Sequence, residues 1–526
     1  MPSVFPPREF GAQGDGKALD SPSINSAIDA CTVAGGGIVY LSPGVYRSGT
    51  IVLKSNVTLY LEAGATILGS LELKDYASMA GPAGDGDANQ RHLIFARNAE
   101  NVTLAGTGCI DGQGEKFWKP STHKPAAPAD AWEDVAIFVK KPKARPSPML
   151  EFVNCNWLRI EDLRIVRASG WTLRPINCDH VFICGISIRN PVYGPNTDGV
   201  DITCCSNVYM DNCSIDTGDD AICLKSENPY SSEPPVNRNI VITNCILITC
   251  CNGFKIGTGS LGGFENITFS NSVIHNPPVG PASRVISGIA LEVVDGGWID
   301  GVIVTGIRMQ RTRTPIFIRL GNRSRKFDYP QHGLRSVSIS NIRASESLLA
   351  SSITGIPGIP VRDISLSDIA IENVMPGRAE WLGRTVPEQE KEYPEARMFG
   401  MLPATGFYLR HVTDLQMSNI SLRAAADEIR PSLIMDDVSN ARISQLTCSP
   451  STRNTSVVQL NSSRNVWVCN STAAEGTGTF LKVSGAGSEE IVASGNNLRH
   501  AHHAVECTHD VPSGAVHAIN NIDNSQ

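Results

Sequence analysis

A polar residue, most often asparagine, opens a short alternation of apolar and polar positions again and again along this chain. Examples are Asn56-Val57-Thr58-Leu59-Tyr60-Leu61, Asn207-Val208-Tyr209-Met210-Asp211-Asn212, Asn239-Ile240-Val241-Ile242-Thr243-Asn244, Asn266-Ile267-Thr268-Phe269-Ser270-Asn271 and Ser336-Val337-Ser338-Ile339-Ser340-Asn341. Starts fall at residues 156, 180, 207, 239, 266, 301, 336, 363, 414, 440, 465 and 490, spaced mostly by 24 to 35 residues with one gap of 51. Period-2 alternation broken by Gly and Asn predicts short strands, and the repeat is too short for a propeller blade. Each unit therefore predicts one coil of a parallel β-helix, an all-β solenoid with Val, Ile and Leu stacked inward at ~4.8 Å per coil and with Asn and Cys in ladders.

An exposed first coil would be an open sheet edge. Ser21 to Cys31 predicts a helix that covers it, with Ser21 as N-cap, Pro22 at the first helical position and Gly35-Gly36-Gly37 as the stop. The expected organisation is a cap with the first coils over 1–80, a β-helical catalytic domain over 81–500 and a tail over 501–526. Gln113 to Pro148 and Pro376 to Pro403 break the rhythm and predict long loops over one face, of the kind that shapes a cleft.

Composition narrows the partners. In 526 residues, 45 Lys and Arg stand against 52 Asp and Glu, a net charge of −7, which argues against nucleic acid held by a broad basic surface. No apolar run reaches the ~18 residues of a membrane span, and the first residues, Met1-Pro2-Ser3-Val4-Phe5-Pro6-Pro7-Arg8, lack the pattern of a secretory leader. The 15 cysteines include the neighbours Cys204-Cys205 and Cys250-Cys251 within apolar runs, so most are expected as small buried hydrophobes rather than disulfides or metal ligands. His500, His502, His503, His509 and His517 are expected as surface residues. No metal and no cofactor is expected.

Acidic residues crowd once, in Asn196-Thr197-Asp198-Gly199-Val200-Asp201 and then Asp216-Thr217-Gly218-Asp219-Asp220-Ala221-Ile222-Cys223. The offset 219 − 198 = 21 is close to one coil and predicts Asp198 beside Asp219 and Asp220 on adjacent rungs. Carboxyl groups so close cannot all ionise cheaply, so one should hold its proton as a general acid, the asymmetry that glycosidic cleavage needs.

Phe10-Gly11-Ala12-Gln13-Gly14-Asp15-Gly16, Ile110-Asp111-Gly112-Gln113-Gly114-Glu115, Asn196-Thr197-Asp198-Gly199, Gly218-Asp219-Asp220 and Glu390-Lys391-Glu392-Tyr393-Pro394-Glu395-Ala396-Arg397-Met398-Phe399-Gly400 resemble the polygalacturonase family, glycoside hydrolase family 28, from about residue 5 to about 425. The resemblance implies a right-handed β-helix, inverting hydrolysis of a carbohydrate, and a periplasmic or extracellular setting, although nothing in the chain itself excludes the cytoplasm. It makes Asp219 the acid and Asp198 with Asp220 the pair that activates water.

Two motifs depart from that family. Asn252, in Cys251-Asn252-Gly253-Phe254-Lys255-Ile256-Gly257-Thr258, stands where the family has the His of Gly-His-Gly, and Ala290 and Glu292 stand where it has the Arg and Lys that grip a substrate carboxylate. Glu292 would repel galacturonate, so the expected substrate is a neutral terminal sugar on a pectic side chain or plant glycoside. The alternative is an exo-polygalacturonase whose clamp has moved to Lys255, Arg319 or Arg323. Asn196, Asn252, Lys255, Glu292, Arg319, Trp171 and Trp298 are the expected substrate-binding residues, with Tyr193 a further stacking candidate. Of other classes, a lyase or epimerase would need a metal or a base such as Lys255, and a non-catalytic glycan-binding β-helix would bind without turnover.

Overall fold

The computed structural model describes residues 3–79, 91–120, 139–140, 144–230, 235–276, 285–323, 331–425, 428–450 and 455–523. Most of the expected loop from Gln113 to Pro148 lies outside the described residues. The architecture is a right-handed parallel β-helix, and the chain divides into two compact units, Met1–Lys255 with Leu261–Val273, and Ile256–Ser260 with Ile274–Asn276 and Arg284–Gln526.

In the first unit each coil has three strands. Leu150–Val153, Asn156–Glu161 and Arg164–Val166 make one coil; Leu173–Ile176, Asp179–Cys184 and Ser187–Arg189 make the next; Val200–Thr203, Ser206–Asp211 and Ser214–Thr217 follow. Leu150 pairs in parallel with Leu173, Leu173 with Val200 and Val200 with Ile222, offsets of 23, 27 and 22 residues. Coil length varies at the turns while the strands keep register. The interior positions then stack, Val102 on Leu158, Val181, Val208 and Ile240, and all five are buried.

Asparagine serves the corners for a local reason. Asn154, Asn177, Asn207, Asn239 and Asn266 all have φ between 52° and 58°, a left-handed conformation that Asn tolerates better than β-branched residues. Their side-chain amides hydrogen-bond rung to rung, Asn177 to Asn154 at 2.8 Å and Asn239 to Asn207 at 3.1 Å. Eleven of the 15 cysteines are buried and none is in a disulfide.

The cap helix is Ser21–Val33, with Ile24, Ala27, Ile28 and Cys31 buried against Gly37–Leu41 and Ile51–Leu53. Its N-cap is Asp20, not Ser21. Asp20 accepts hydrogen bonds from the amides of Gln13 and Gly14, and the Ser21 hydroxyl accepts one from Gly49, so both polar groups tie the helix to the first coils.

The second unit repeats the pattern with longer strands. Val337 pairs with Ile364, Ile364 with Leu415 and Leu415 with Ala441, and all are buried or nearly so. Residues 376–403 carry only the short turn Ala379–Trp381, as the broken rhythm predicts. The stretch expected as a tail also carries strands: Ala501–Cys507 pairs with Thr477–Val483, and Val516–Ile519 with Ile491–Ser494.

Candidate active site

The carboxylates meet at the turn that precedes one strand of each coil in the first unit. Since Val200 pairs with Ile222, the ladder offset here is 22, so Asp198 lies level with Asp220 rather than with Asp219. Two glycines allow the approach. A Cβ at Gly199 would stand 2.4 Å from the Ala221 carbonyl oxygen, and one at Gly218 would stand 2.5 Å from that of Gly194. Thr217 and Thr249 each donate a 2.6 Å hydrogen bond to the Asp219 carbonyl oxygen, which fixes the backbone of the pair. Asn196, at φ 51°, turns the chain into Asp198.

Around the three aspartates lie partners that spacing did not reveal. Lys225 forms an ion pair with Asp201, which is fully buried, and its Nζ stands 3.7 Å from Asp198. Lys255 Nζ stands 3.2 Å from Asp220 Oδ2. Asn252 donates to Asp220 Oδ1 from its side chain at 2.6 Å and from its backbone at 3.2 Å. Four carboxyl groups thus share two ammonium groups in a cluster where Asp198, Asp201 and Asp220 are buried and Asp219 keeps partial exposure.

That charge balance separates the acids. Burial and the adjacent Asp220 charge push the Asp219 carboxyl up to about 6. Burial, with Asp201 and Asp219 close by, raises Asp198 well above the usual carboxylate range. Burial also opposes ionisation of Asp220, but Lys255, Lys225 and Asn252 outweigh it and hold that group low. Asp198 Oδ1 is buried and makes no hydrogen bond among the described residues. One neighbouring pair thus contains a carboxyl that keeps its proton to about pH 6 and a carboxylate that stays ionised.

Asp219, Asp220 and Cys251 bring donor atoms within 4.8 Å of one another. The set suits a metal poorly. Lys255, 3.2 Å from Asp220, already neutralises that carboxylate, and two carboxylates with one thiol mix a hard and a soft donor type.

Several expected substrate-binding residues have other work. Trp171 is 5% exposed, and Lys225 Nζ sits 4.5 Å from its ring centroid, so it is a cation–π support and not an open platform. Asn252 and Lys255 hold Asp220. Trp298, 4% exposed, starts the strand Trp298–Gln310 and pairs with Gly333. Tyr193 is 39% exposed and packs edge-on against Trp118. Asp201 and Lys225 were missed; their signal is the alternation that turns both outward from the strands Val200–Thr203 and Ile222–Ser226.

In the second unit Glu292 lies in the strand Val285–Val293, is 1% exposed and accepts a 3.3 Å hydrogen bond from the Thr258 hydroxyl, itself 3.1 Å from the Tyr393 hydroxyl. Ala290 in the same strand is fully buried. Arg319 pairs in register with Glu292 but spends its guanidinium elsewhere, donating to the carbonyl oxygens of Glu388 at 2.7 Å, Gln389 at 3.1 Å and Gly355 at 3.2 Å and to the Thr354 hydroxyl at 3.2 Å. Arg410 likewise holds the carbonyl oxygens of Val386 and Pro387. Arg323 is bound two-pronged by Asp295 at 2.9 and 2.8 Å.

Residues 43–380 match the family model described as glycosyl hydrolases family 28. A "Probable polygalacturonase" of Vitis vinifera is 25% identical over 387 residues, 69% of this chain and 73% of its own. An "Exo-poly-alpha-D-galacturonosidase" of Dickeya chrysanthemi is 26% identical over 356 residues, 59% of this chain and 56% of its own. Among solved structures, a hyperthermoactive exopolygalacturonase from Thermotoga maritima is similar with a TM-score of 0.58 and 25% identity, over 70% of this chain and 87% of its own.

Proposed function

The chain belongs to glycosyl hydrolases family 28 and is a glycosidase, and from that premise we propose that it hydrolyses a neutral terminal sugar with inversion of configuration. Asp219 gives its proton to the glycosidic oxygen as that bond breaks. Asp220, held ionised, accepts a proton from the attacking water, which Asp198 helps to orient. The opposed shifts of the neighbouring Asp219 and Asp220 carry this reading.

The alkaline limb of kcat/KM should therefore lie near pH 6, because the acid is lost as pH rises through the Asp219 value, with activity falling about tenfold per further unit. The acid limb should lie below the usual carboxylate range, where Asp220 takes up its proton. Initial rates between pH 3 and 9 check both limbs. An alkaline limb above pH 8 would contradict the role given to Asp219.

The neutral substrate is supported by what replaces the family's cations. Ala290 and Glu292 stand at the Arg and Lys positions, and Arg319 and Arg323 are committed to Glu388, Gln389 and Asp295. A buried carboxylate opposite a substrate carboxylate is repulsive, whereas with sugar hydroxyls it makes charge-assisted hydrogen bonds of ~1.5–3 kcal/mol. Glu292→Gln should lower kcat/KM on the true substrate by about 10- to 100-fold. A panel of neutral and uronic glycosides, with products separated by chromatography, tests the reading. Release of galacturonic acid from polygalacturonate at ordinary enzyme rates would overturn it in favour of exo-polygalacturonase action, the activity in the names of two of the relatives.

A further inference from the structure

Beyond the residues that the family model matches, the second unit contains a groove of about 870 Å³, lined entirely by residues from Leu382 onward. Its floor is the outward face of the parallel sheet. Tyr408 pairs with Ile434, Ile434 with Gln459, Gln459 with Lys482 and Lys482 with Glu506, one residue from each successive strand. Two positions along, Arg410, Asp436, Asn461 and Ser484 form a second column in the same register. Residues 382–388 line one side.

We propose that this groove binds an extended oligosaccharide chain of low charge, as an accessory site distinct from the carboxylate cluster. Every rung of the floor offers at least one polar side chain, and three of them, Tyr408 with Arg410, Gln459 with Asn461 and Lys482 with Ser484, offer two, ~4.8 Å from rung to rung, which suits a ligand with a short repeating unit. Donors and acceptors are mixed: Asn461 donates to Asp436 at 2.6 Å, while the side chains of Gln459 and Lys482 make no hydrogen bond or ion pair among the described residues. Such groups match sugar hydroxyls, which both donate and accept. Arg384, Arg410 and Lys482 balance Glu388, Asp436 and Glu506, so neither a polyanion nor a polycation is favoured. The volume lies within the range of ligand sites.

From the proposed function this inference takes only that the enzyme works on glycans. Its test is affinity electrophoresis of the full chain through gels containing one of three neutral polymers, soluble arabinan, β-1,4-galactan or arabinoxylan, in an Asp219→Asn background so that nothing is consumed. Retardation by at least one polymer is expected. Adding Gln459→Ala and Lys482→Ala should weaken it at least tenfold without a change in thermal midpoint. No retardation by any of the three, or equal retardation with and without the groove substitutions, overturns the proposal. Because binding is read in an inactive variant, these outcomes are separate from the choice of sugar that the active enzyme cleaves.

Discussion

Asp219→Asn should lower kcat by about 10²- to 10⁴-fold, the range that a positioned general acid contributes, while leaving the fold intact. Asn keeps the shape of the side chain and cannot supply the proton. The substitution removes the group whose deprotonation sets the alkaline limb, so the residual activity should lose the limb expected near pH 6. A substrate with a leaving group that needs no proton, such as a dinitrophenyl glycoside, should recover much of the rate. In the unsubstituted enzyme, NMR of the first product should show the opposite anomer to the substrate. Retention, or near-normal activity of Asp219→Asn on an alkyl glycoside, would sink the assignment.

Lys225→Met should be the most damaging single change to stability. It leaves the fully buried Asp201 without its cation and strips a positive charge from beside Asp198. Breaking a buried ion pair from one side costs about 3–5 kcal/mol. The pH dependence gives a second check. Asp201 already has a raised carboxyl in the folded protein, through burial against which Lys225 works, and without Lys225 it should rise further. The folded state then binds more protons than the unfolded state above the usual carboxylate range, so the variant loses stability as pH rises and regains part of it on acidification. Thermal or urea midpoints of both proteins at pH 5 and pH 8 read this directly. An equal deficit at the two values would show that Asp201 is not the group left unpaired.

What the sequence disclosed, and what it withheld, follow one physical line. The coil phrase and the crowded aspartates are local, so alternation and short spacings reveal them. Asp198 against Asp220 depends on coil length, and offsets of 23, 27 and 22 in successive coils make any single spacing a guess to within a residue or two. Lys225 belongs to Asp201 only once that register is known. Trp171 has the composition of a sugar platform, but two cations, Lys225 and Arg174, lie over its ring. Arg319 has the charge of a carboxylate clamp, yet three of its partners are carbonyl oxygens, which carry no signature in the sequence. Glu292, by contrast, stands out in the sequence because one substituted motif position reverses the sign of a charge, and its burial is what the structure adds.

Those carbonyl oxygens have a kinetic meaning. Four consecutive residues, Val386 to Gln389, are held through their backbones by Arg410 and Arg319, a few residues before Tyr393, whose hydroxyl stands beside that of Thr258, the partner of Glu292. A hinged flap must let go of its anchors at each turnover. Here release would take two carbonyl partners from each of two buried guanidinium groups, at a cost of several kcal/mol, so an opened form would be populated at about one molecule in a thousand or less. The segment is a fixed jamb rather than a door, so a sugar selected at Glu292 as proposed would be chosen by fit on entry and not by closure of residues 386–389.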